Sequence, residues 1–401
     1  MQNRPGTYSE SFYTPKIAGL DDIGSSLITL EIDLAQYRSN IRAILDFAHP
    51  AKLICVVKAN AYGFGVAGLL PILSEFDDVS LGVANADEAL ELKALGYDGR
   101  IVLLGYTHPK NYYQIVHSGC QLSAYRPENI PQLAEACREL KRPLELHIKI
   151  DTGMSRMGVA VRNLRDFIQK LKRYPQFAVV GLFSHLVDSG MPTRTVNLRQ
   201  EELFNEAVAI TTKELGYRPE RHLANSAGMV NFPHLHLDSV RVGLLPFGIY
   251  PPGDYEPRIP IEPCFRLFSE VIDLHRLEPG DGVSYTHSFI AHDETTIATM
   301  PYGYADGLFL NLSNKAPVLI RGRRYPLVGN VTMDYVMADV AQDAEDAMGD
   351  ERVRIGDEVV IIGRQRGALI TIEEVAELAG TIPYEISCAW GRRVRRVYGE
   401  M

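Results

Sequence analysis

Between about Leu53 and Phe247, short apolar runs alternate with longer helical patterns, and this alternation constrains the fold more than any other feature of the chain. The strand candidates are LICVVKA, VSLGVA, IVLLG, CQLSAY, LELHIKID, VVGLFSHL, HLANS and SVRVGLL. Each is short and apolar, as parallel strands covered on both faces must be. Between them lie segments such as ADEALELKALG and PENIPQLAEACRELK, with apolar residues at helical spacing and Pro or Gly near their ends. About eight such units in roughly 200 residues are what a closed (β/α)8 barrel requires. An open doubly wound sheet shares the same periodicity and stands as the alternative.

After PFGIYPPGDYEPRIPIEP the texture changes. Strand-like runs follow (FRLFSEVIDLHRL, TTIATMPYG, APVLIRG, YPLVG, YVMADV, EVVIIG), broken by turn signals such as EPGDG and RIGDE. One helical stretch, TIEEVAELAG, interrupts them. A chain of 401 residues is long enough for two domains, and a single hydrophobic core rarely grows this large. The reading is therefore an α/β chain in three parts: an N-terminal extension (1–26), a TIM-like barrel domain (27–250) and a mostly β C-terminal domain (251–401).

A formal charge of −9 argues against nucleic acid or an anionic membrane as the main partner, and the basic cluster GRRVRRVY does not reverse it. The five cysteines are scattered, with no CxxC pair, which suits a reducing compartment and gives no metal signature. No apolar run approaches the roughly 20 residues needed to cross a bilayer, and the first two dozen residues lack the apolar core of a signal peptide. The expectation is a cytoplasmic protein.

Lys58 is the strongest single chemical candidate. It ends the apolar run LICVVKA and is followed by the small, glycine-rich NAYGFG. A lysine there projects from the C-terminal mouth of a barrel, where such enzymes place their chemistry. An amine partly desolvated in that setting loses affinity for its proton and can attack an aldehyde. An arbitrary strand-end lysine would more simply snorkel to solvent.

VVKANAYGFG resembles the pyridoxal-phosphate (PLP) lysine motif of the alanine racemase family. HIKIDTGMSRMG, FSHL, NSAG, RVGLLPFGIYP, GDGVSY, GYADG, GNVTMDYVMADV and TIPYE follow in the family's order and at similar spacing. The resemblance runs from about Leu27 to the C-terminus. It implies a PLP-binding barrel followed by a β-domain, working as a head-to-tail homodimer on an amino-acid substrate, with Lys58 holding the cofactor as a Schiff base.

The same resemblance assigns further residues. Tyr62, Ser226, Gly243, Leu244 and Tyr384 match the phosphate site, where hydroxyls and backbone N–H groups suit a multiply charged anion. Arg241 matches the arginine facing the cofactor's pyridine nitrogen, and His185 the histidine that orients it. A guanidinium stays protonated and donates a hydrogen bond without transferring its proton, so the ring is a weaker electron sink than one paired with a carboxylate. Arg156 matches a residue between the cofactor oxygen and the substrate carboxylate, and Lys149 a lysine carried as a carbamate. Taken alone, Lys149 and Arg156 would be ordinary surface ion-pair residues, worth only about 0–1 kcal/mol, and Ser226 a helix-capping serine.

Tyr285 in GDGVSY decides the reaction class. Racemisation needs an acid/base group on each face of the α-carbon; Lys58 supplies one, and the resemblance makes Tyr285, reaching in from the partner subunit, the other. By the family's stereochemistry Tyr285 serves the L-isomer and Lys58 the D-isomer. An unperturbed phenol titrates near about 10, so it needs cationic neighbours to act as a base at neutrality. Tyr304 and Met333 are implied to wall the substrate pocket from the same partner, with Asp334 as structural support.

The chain departs from the commoner AYGHG, SYGATY and RxGxxLYG, reading AYGFG, SYTHSF and RVGLLPFG, and has Thr332 before Met333. These changes are expected near the pocket. Alanine is the default substrate, with serine or a bulkier amino acid as the alternative. A PLP-dependent decarboxylase on the same scaffold is opposed by Tyr285 with Arg241, and a PLP-carrier protein by the domain beyond Pro251.

Overall fold

The structure, a computed structural model, describes residues 27–400 apart from 192, 194, 254, 256–258 and 342–351. The expected N-terminal extension (1–26) therefore lies outside the described residues.

The eight strand candidates of the first domain each form a parallel strand, and the strands are neighbours in chain order. They are Lys52–Val56, Val79–Val83, Ile101–Leu103, Gln121–Ala124, Leu144–Asp151, Phe177–Phe183, Glu220–His222 and Ser239–Val242. The last returns to the first, with Val240 opposite Leu53. Backbone hydrogen bonds from Asp238 to Arg221 (3.1 Å) and from Arg241 to Ala224 (3.0 Å) bridge the remaining seam. This closes the barrel and removes the open-sheet alternative. Val79–Val83 and Gln121–Ala124 are buried along their whole length, which is why they read as continuous rather than alternating patterns.

The second domain is a long, mostly antiparallel sheet. Its strands run in the order Asp273–Leu277, Thr295–Met300, Val336–Asp339, Arg323–Val328, Pro317–Ile320, Glu358–Gln365, Phe265–Glu270, Thr29–Asp33 and Arg395–Gly399. The helix expected in TIEEVAELAG spans Ile372–Ala379, capped by Thr371, whose side chain accepts from the Glu374 N–H. A second short helix, Pro383–Cys388, follows and carries Tyr384.

The strand Thr29–Asp33 precedes the barrel in sequence yet belongs to this second sheet. It pairs antiparallel with Phe265–Glu270 and parallel with Arg395–Gly399. Asp33 then caps the helix Leu34–Ala48, accepting from the N–H groups of Ala35 (2.9 Å) and Gln36 (3.1 Å). The chain thus crosses between domains at both ends of the barrel. One continuous apolar core runs through both, from Leu30 and Tyr37 to Phe247, Phe265 and Trp390.

Phe64, one of the departures, is fully buried in that shared core. It stacks on Phe247 (centroids 3.7 Å, interplanar 11°) and meets Phe265 and Trp390 edge-on. Phe64 is not among the residues that line the cavity described below. It joins the domains instead.

Candidate active site

A cavity of about 430 Å³ opens at the C-terminal ends of the barrel strands. Its lining includes Lys58, Tyr62, Lys149, Arg156, His185, Ser226, Arg241, Gly243 and Tyr384, so most of the expected site residues converge there.

Lys58 sits just past the first strand, and the backbone after it is unusual. Ala59, Asn60, Ala61 and Tyr62 all have φ between 52° and 55°, forming one left-handed helical turn. Side chains make this conformation unfavourable by roughly 1–2 kcal/mol per residue, so other contacts must hold it. The Glu88 carboxylate accepts from Ala59 N–H (2.8 Å) with one oxygen and from Ala84 N–H (2.7 Å) with the other. Asn60 Oδ1 accepts from Val66 N–H at 2.8 Å. The turn brings Lys58 Nζ to 5.8 Å from the centre of the Tyr62 ring, with both side chains on the cavity.

Opposite stands a cluster of hydroxyls. Tyr62 and Tyr384 pack edge to face at 5.7 Å, and Gly243 N–H donates to Ser226 Oγ at 3.2 Å. A Cβ on Gly243 would lie 2.5 Å from the Tyr62 hydroxyl, so glycine there keeps the cradle open. Burial pushes the Tyr62 phenol well up and the Tyr384 phenol up to about 12, keeping both as hydrogen-bond donors. Leu244 is buried beside Gly243 and is not among the residues lining the cavity.

Lys58, Lys149, Arg156 and Arg241 all line this space, and among the described residues no Asp or Glu does. Such a cavity selects anions. Lys149 is buried with its Nζ 4.4 Å over the Phe183 ring. Burial, with the charges of Arg241, Arg156 and Lys58, pushes its amine down to about 7. Burial first, then the same cations, pushes His185 down to about 3, so it lines the cavity as a neutral ring.

Arg241 is held by protein on its terminal nitrogens. Nη2 donates to the carbonyls of Ser184 (2.6 Å) and Leu223 (3.1 Å), and Nη1 to the His222 carbonyl and to His222 Nδ1 (3.1 Å). None of these bonds uses Nε. The imidazole in hydrogen-bond contact with Arg241 is that of His222, while His185 lines the same cavity. Behind His222 lies a chain the sequence reading missed. His222 Nε2 is 2.8 Å from His147 Nδ1, His147 Nε2 is 2.8 Å from Gln121 Oε1, and Gln121 Nε2 donates to Glu145 at 2.5 Å.

Tyr285, Tyr304 and Met333 are absent from the cavity wall. All three lie in the second domain and are exposed, Tyr285 most of all at 72%. Tyr285 and Met333 share an open depression of about 720 Å³ with Asp334 and Tyr335. Within one chain the cavity thus has a lysine on one side and no second base from this group.

Barrel, strand-end lysine and anion-selective cavity define an enzyme that works on a small anionic ligand at an amine. The chain belongs to the alanine racemase family: residues 32–251 match the model "Alanine racemase, N-terminal domain" and residues 264–398 the model "Alanine racemase, C-terminal domain". It is 39% identical to the alanine racemase of Symbiobacterium thermophilum over 92% of this chain and 96% of that one. The alanine racemase of Clostridium difficile superposes with a TM-score of 0.85 at 30% identity, covering 93% of this chain and 95% of its own. A Bartonella henselae alanine racemase, described with covalently bound pyridoxal phosphate, superposes with a TM-score of 0.82 at 28% identity over 93% of this chain and 99% of its own.

Proposed function

We propose that the chain is a PLP-dependent alanine racemase, with Lys58 of one chain and Tyr285 of a second copy as opposed bases. The observation that carries this reading is the convergence of Lys149, Arg156, Arg241 and a hydroxyl cradle around the Lys58 amine, with no carboxylate among the described lining residues. These residues fit PLP: the Tyr62, Ser226, Gly243 and Tyr384 cradle suits its phosphate, Arg241 its ring nitrogen, and Lys58 its aldehyde. When bound, the cofactor supplies the electron sink that makes the α-proton removable.

The chain's own groups do the rest. Arg156 is placed to hold the substrate carboxylate, with Lys149 beside it. An amine pushed down to about 7 is substantially neutral at physiological pH and can take up CO2. The neutral amine would add to CO2 and release one proton to solvent, and the carbamate so formed is an anion placed to brace Arg156. Arg241 would face the ring nitrogen as a donor that keeps its proton, and would so make the ring a weaker electron sink. One of Lys58 and Tyr285 would take the α-proton and the other would deliver its own proton to the opposite face, Tyr285 being the base for the L-isomer.

A homodimer is part of this reading. The exposure of Tyr285, Tyr304, Met333 and Tyr335 on one domain supports a second copy covering them. Among the described residues no helix is long and apolar enough to cross a membrane, and all five cysteines are unpaired, which supports a cytoplasmic setting. With Phe64 outside the cavity, the departures bearing on substrate choice reduce to Thr286, His287 and Thr332. Alanine is accordingly the substrate proposed over serine or a bulkier residue.

The test is to supply single L-amino acids to the PLP-loaded protein and follow D-isomer formation. Alanine should react fastest; faster turnover of serine or a larger residue would displace it. Lys58→Ala should lose the visible absorbance of the lysine-linked cofactor, and its persistence would sink the Lys58 assignment. Tyr285→Phe should retain that absorbance while racemisation collapses.

A further inference from the structure

The turn that carries Tyr285 sits in an unfavourable backbone conformation. Ser284, Thr286 and His287 have φ of 65°, 61° and 47°, a conformation unfavourable for residues with side chains. The flanking strands Gly282–Val283 and Phe289–Ile290 pair only with each other over two residues, too few to impose the shape.

Asn330, in the loop after the strand Arg323–Val328, supplies what is missing. Its Nδ2 donates to the Tyr285 carbonyl (2.9 Å) and to Thr286 Oγ1 (3.3 Å). Its Oδ1 accepts from Ser288 Oγ (2.9 Å), and its backbone carbonyl accepts from Ser284 Oγ (2.8 Å). One residue thus ties both sides of Tyr285. With the ring 72% exposed, little in its own chain packs against it, so its direction follows from this backbone.

We propose that Asn330 is a positioning residue that aims Tyr285 at the α-carbon, a reading that rests on Tyr285 being one of two opposed bases. It acts through Tyr285 and not through the neighbouring Met333, whose loop has separate anchors. Thr332 Oγ1 donates to Tyr335 O (2.8 Å), and Arg393 donates to Asp334 (2.7 Å). Removing the Asn330 amide leaves those bonds, and at the ends of the turn it leaves Ser284 Oγ on the Asn330 carbonyl and Asn314 Nδ2 on Ser288 Oγ (3.2 Å). It strips the side-chain anchors from Tyr285 and Thr286. A displacement of about 1 Å at a reacting group can cost up to about a hundredfold in rate.

The experiment compares Asn330→Ala, Tyr285→Phe and wild type, each loaded with PLP in heavy water, following deuterium entry at Cα from L-alanine and from D-alanine separately. Asn330→Ala should slow entry from the L-isomer by about tenfold or more while changing entry from the D-isomer far less. Without cofactor, amide hydrogen exchange over residues 284–288 should be faster than in wild type. Equal slowing from both isomers, no slowing from either, or unchanged amide exchange would overturn the role of Asn330. If Tyr285→Phe is asymmetric and Asn330→Ala is not, only the Asn330 assignment falls. If Tyr285→Phe shows no asymmetry, the two-base reading falls and this inference with it. Should Asn330→Ala fail to fold, Asn330→Asp keeps the acceptor for Ser288 and removes the donors to Tyr285 and Thr286, and the same asymmetry is expected.

Discussion

His147 Nδ1 lies 2.8 Å from His222 Nε2 inside the barrel, and the groups at either end set the direction of this hydrogen bond. Gln121 donates through Nε2 to Glu145, so its Oε1 must accept from His147 Nε2–H. His147 Nδ1 is then an acceptor, His222 Nε2 a donor, and His222 Nδ1 an acceptor for the Arg241 guanidinium. Every dipole in the line presents its acceptor to Arg241. Both rings must be neutral for this to hold, and burial, the largest cause, pushes His147 down to about 4 and His222 well below its ordinary value.

That neutrality predicts an acid sensitivity. The unfolded chain protonates these imidazoles near their ordinary 6.5, while native His147 resists until about 4. The unfolded state therefore binds more protons in between, and stability falls as pH drops from 6.5 toward 4. The share from His147 alone is roughly 3 kcal/mol. Denaturant midpoints measured across this window should fall steeply in wild type and less in His147→Gln. Parallel curves for the two proteins would show that His147 does not titrate as assigned.

Lys149 gives a second pH dependence of opposite chemical origin. Its amine, pushed down to about 7, is the reactive neutral form above that pH and the inert ammonium below it. Uptake of isotopically labelled CO2 by the protein should rise through pH 7 and vanish in Lys149→Arg. In Lys149→Ala the Michaelis constant for alanine should rise, since Arg156 loses its brace. Labelling that survives in Lys149→Arg would place the carbamate elsewhere.

Glu88 should matter to the site without touching a ligand. Its carboxylate is hydrogen-bonded to backbone on both sides of the cavity rim, at Ala59 and Ala84. Glu88→Gln leaves one oxygen and turns the other into a donor facing an N–H. The expected loss is about 1–3 kcal/mol of support for the left-handed turn, read as weaker PLP retention on dialysis and slower turnover. Unchanged retention in both Glu88→Gln and Glu88→Ala would mean the turn holds itself.

What the sequence disclosed divides along the distance between partners in the chain. The barrel strands were legible because each carries its own pattern; Leu144–Asp151 and Ser239–Val242 need no partner to look like strands. Lys58, Arg241 and the Tyr62 cradle were legible through contiguous motifs. The strand Thr29–Asp33 was not, because its partners Phe265–Glu270 and Arg395–Gly399 lie at the other end of the chain. The His222–His147–Gln121 line was missed for the same reason, since each member comes from a different strand. One local signal existed: a Cβ at Gly181 would sit 1.9 Å from His147 Nδ1, so a glycine in the middle of VVGLFSHL marks a large neighbour.

The two motif departures AYGFG and RVGLLPFG look independent in sequence and are one contact in space. Phe64 and Phe247 stack at 3.7 Å, so the commoner histidine and tyrosine at these places are replaced together by an apolar pair. Phe64→Ala should cost about 3–5 kcal/mol, as for other buried aromatics, and should loosen the contact between domains before it empties the cavity. Phe64→His alone buries an imidazole against Phe247 and Trp390 without an evident partner, which is destabilising by about 1–3 kcal/mol. Adding Phe247→Tyr offers that imidazole a hydroxyl, so the double variant should recover part of the loss. Denaturant unfolding of the four proteins measures this coupling directly. Strict additivity would show that the two substitutions are neighbours without being a pair.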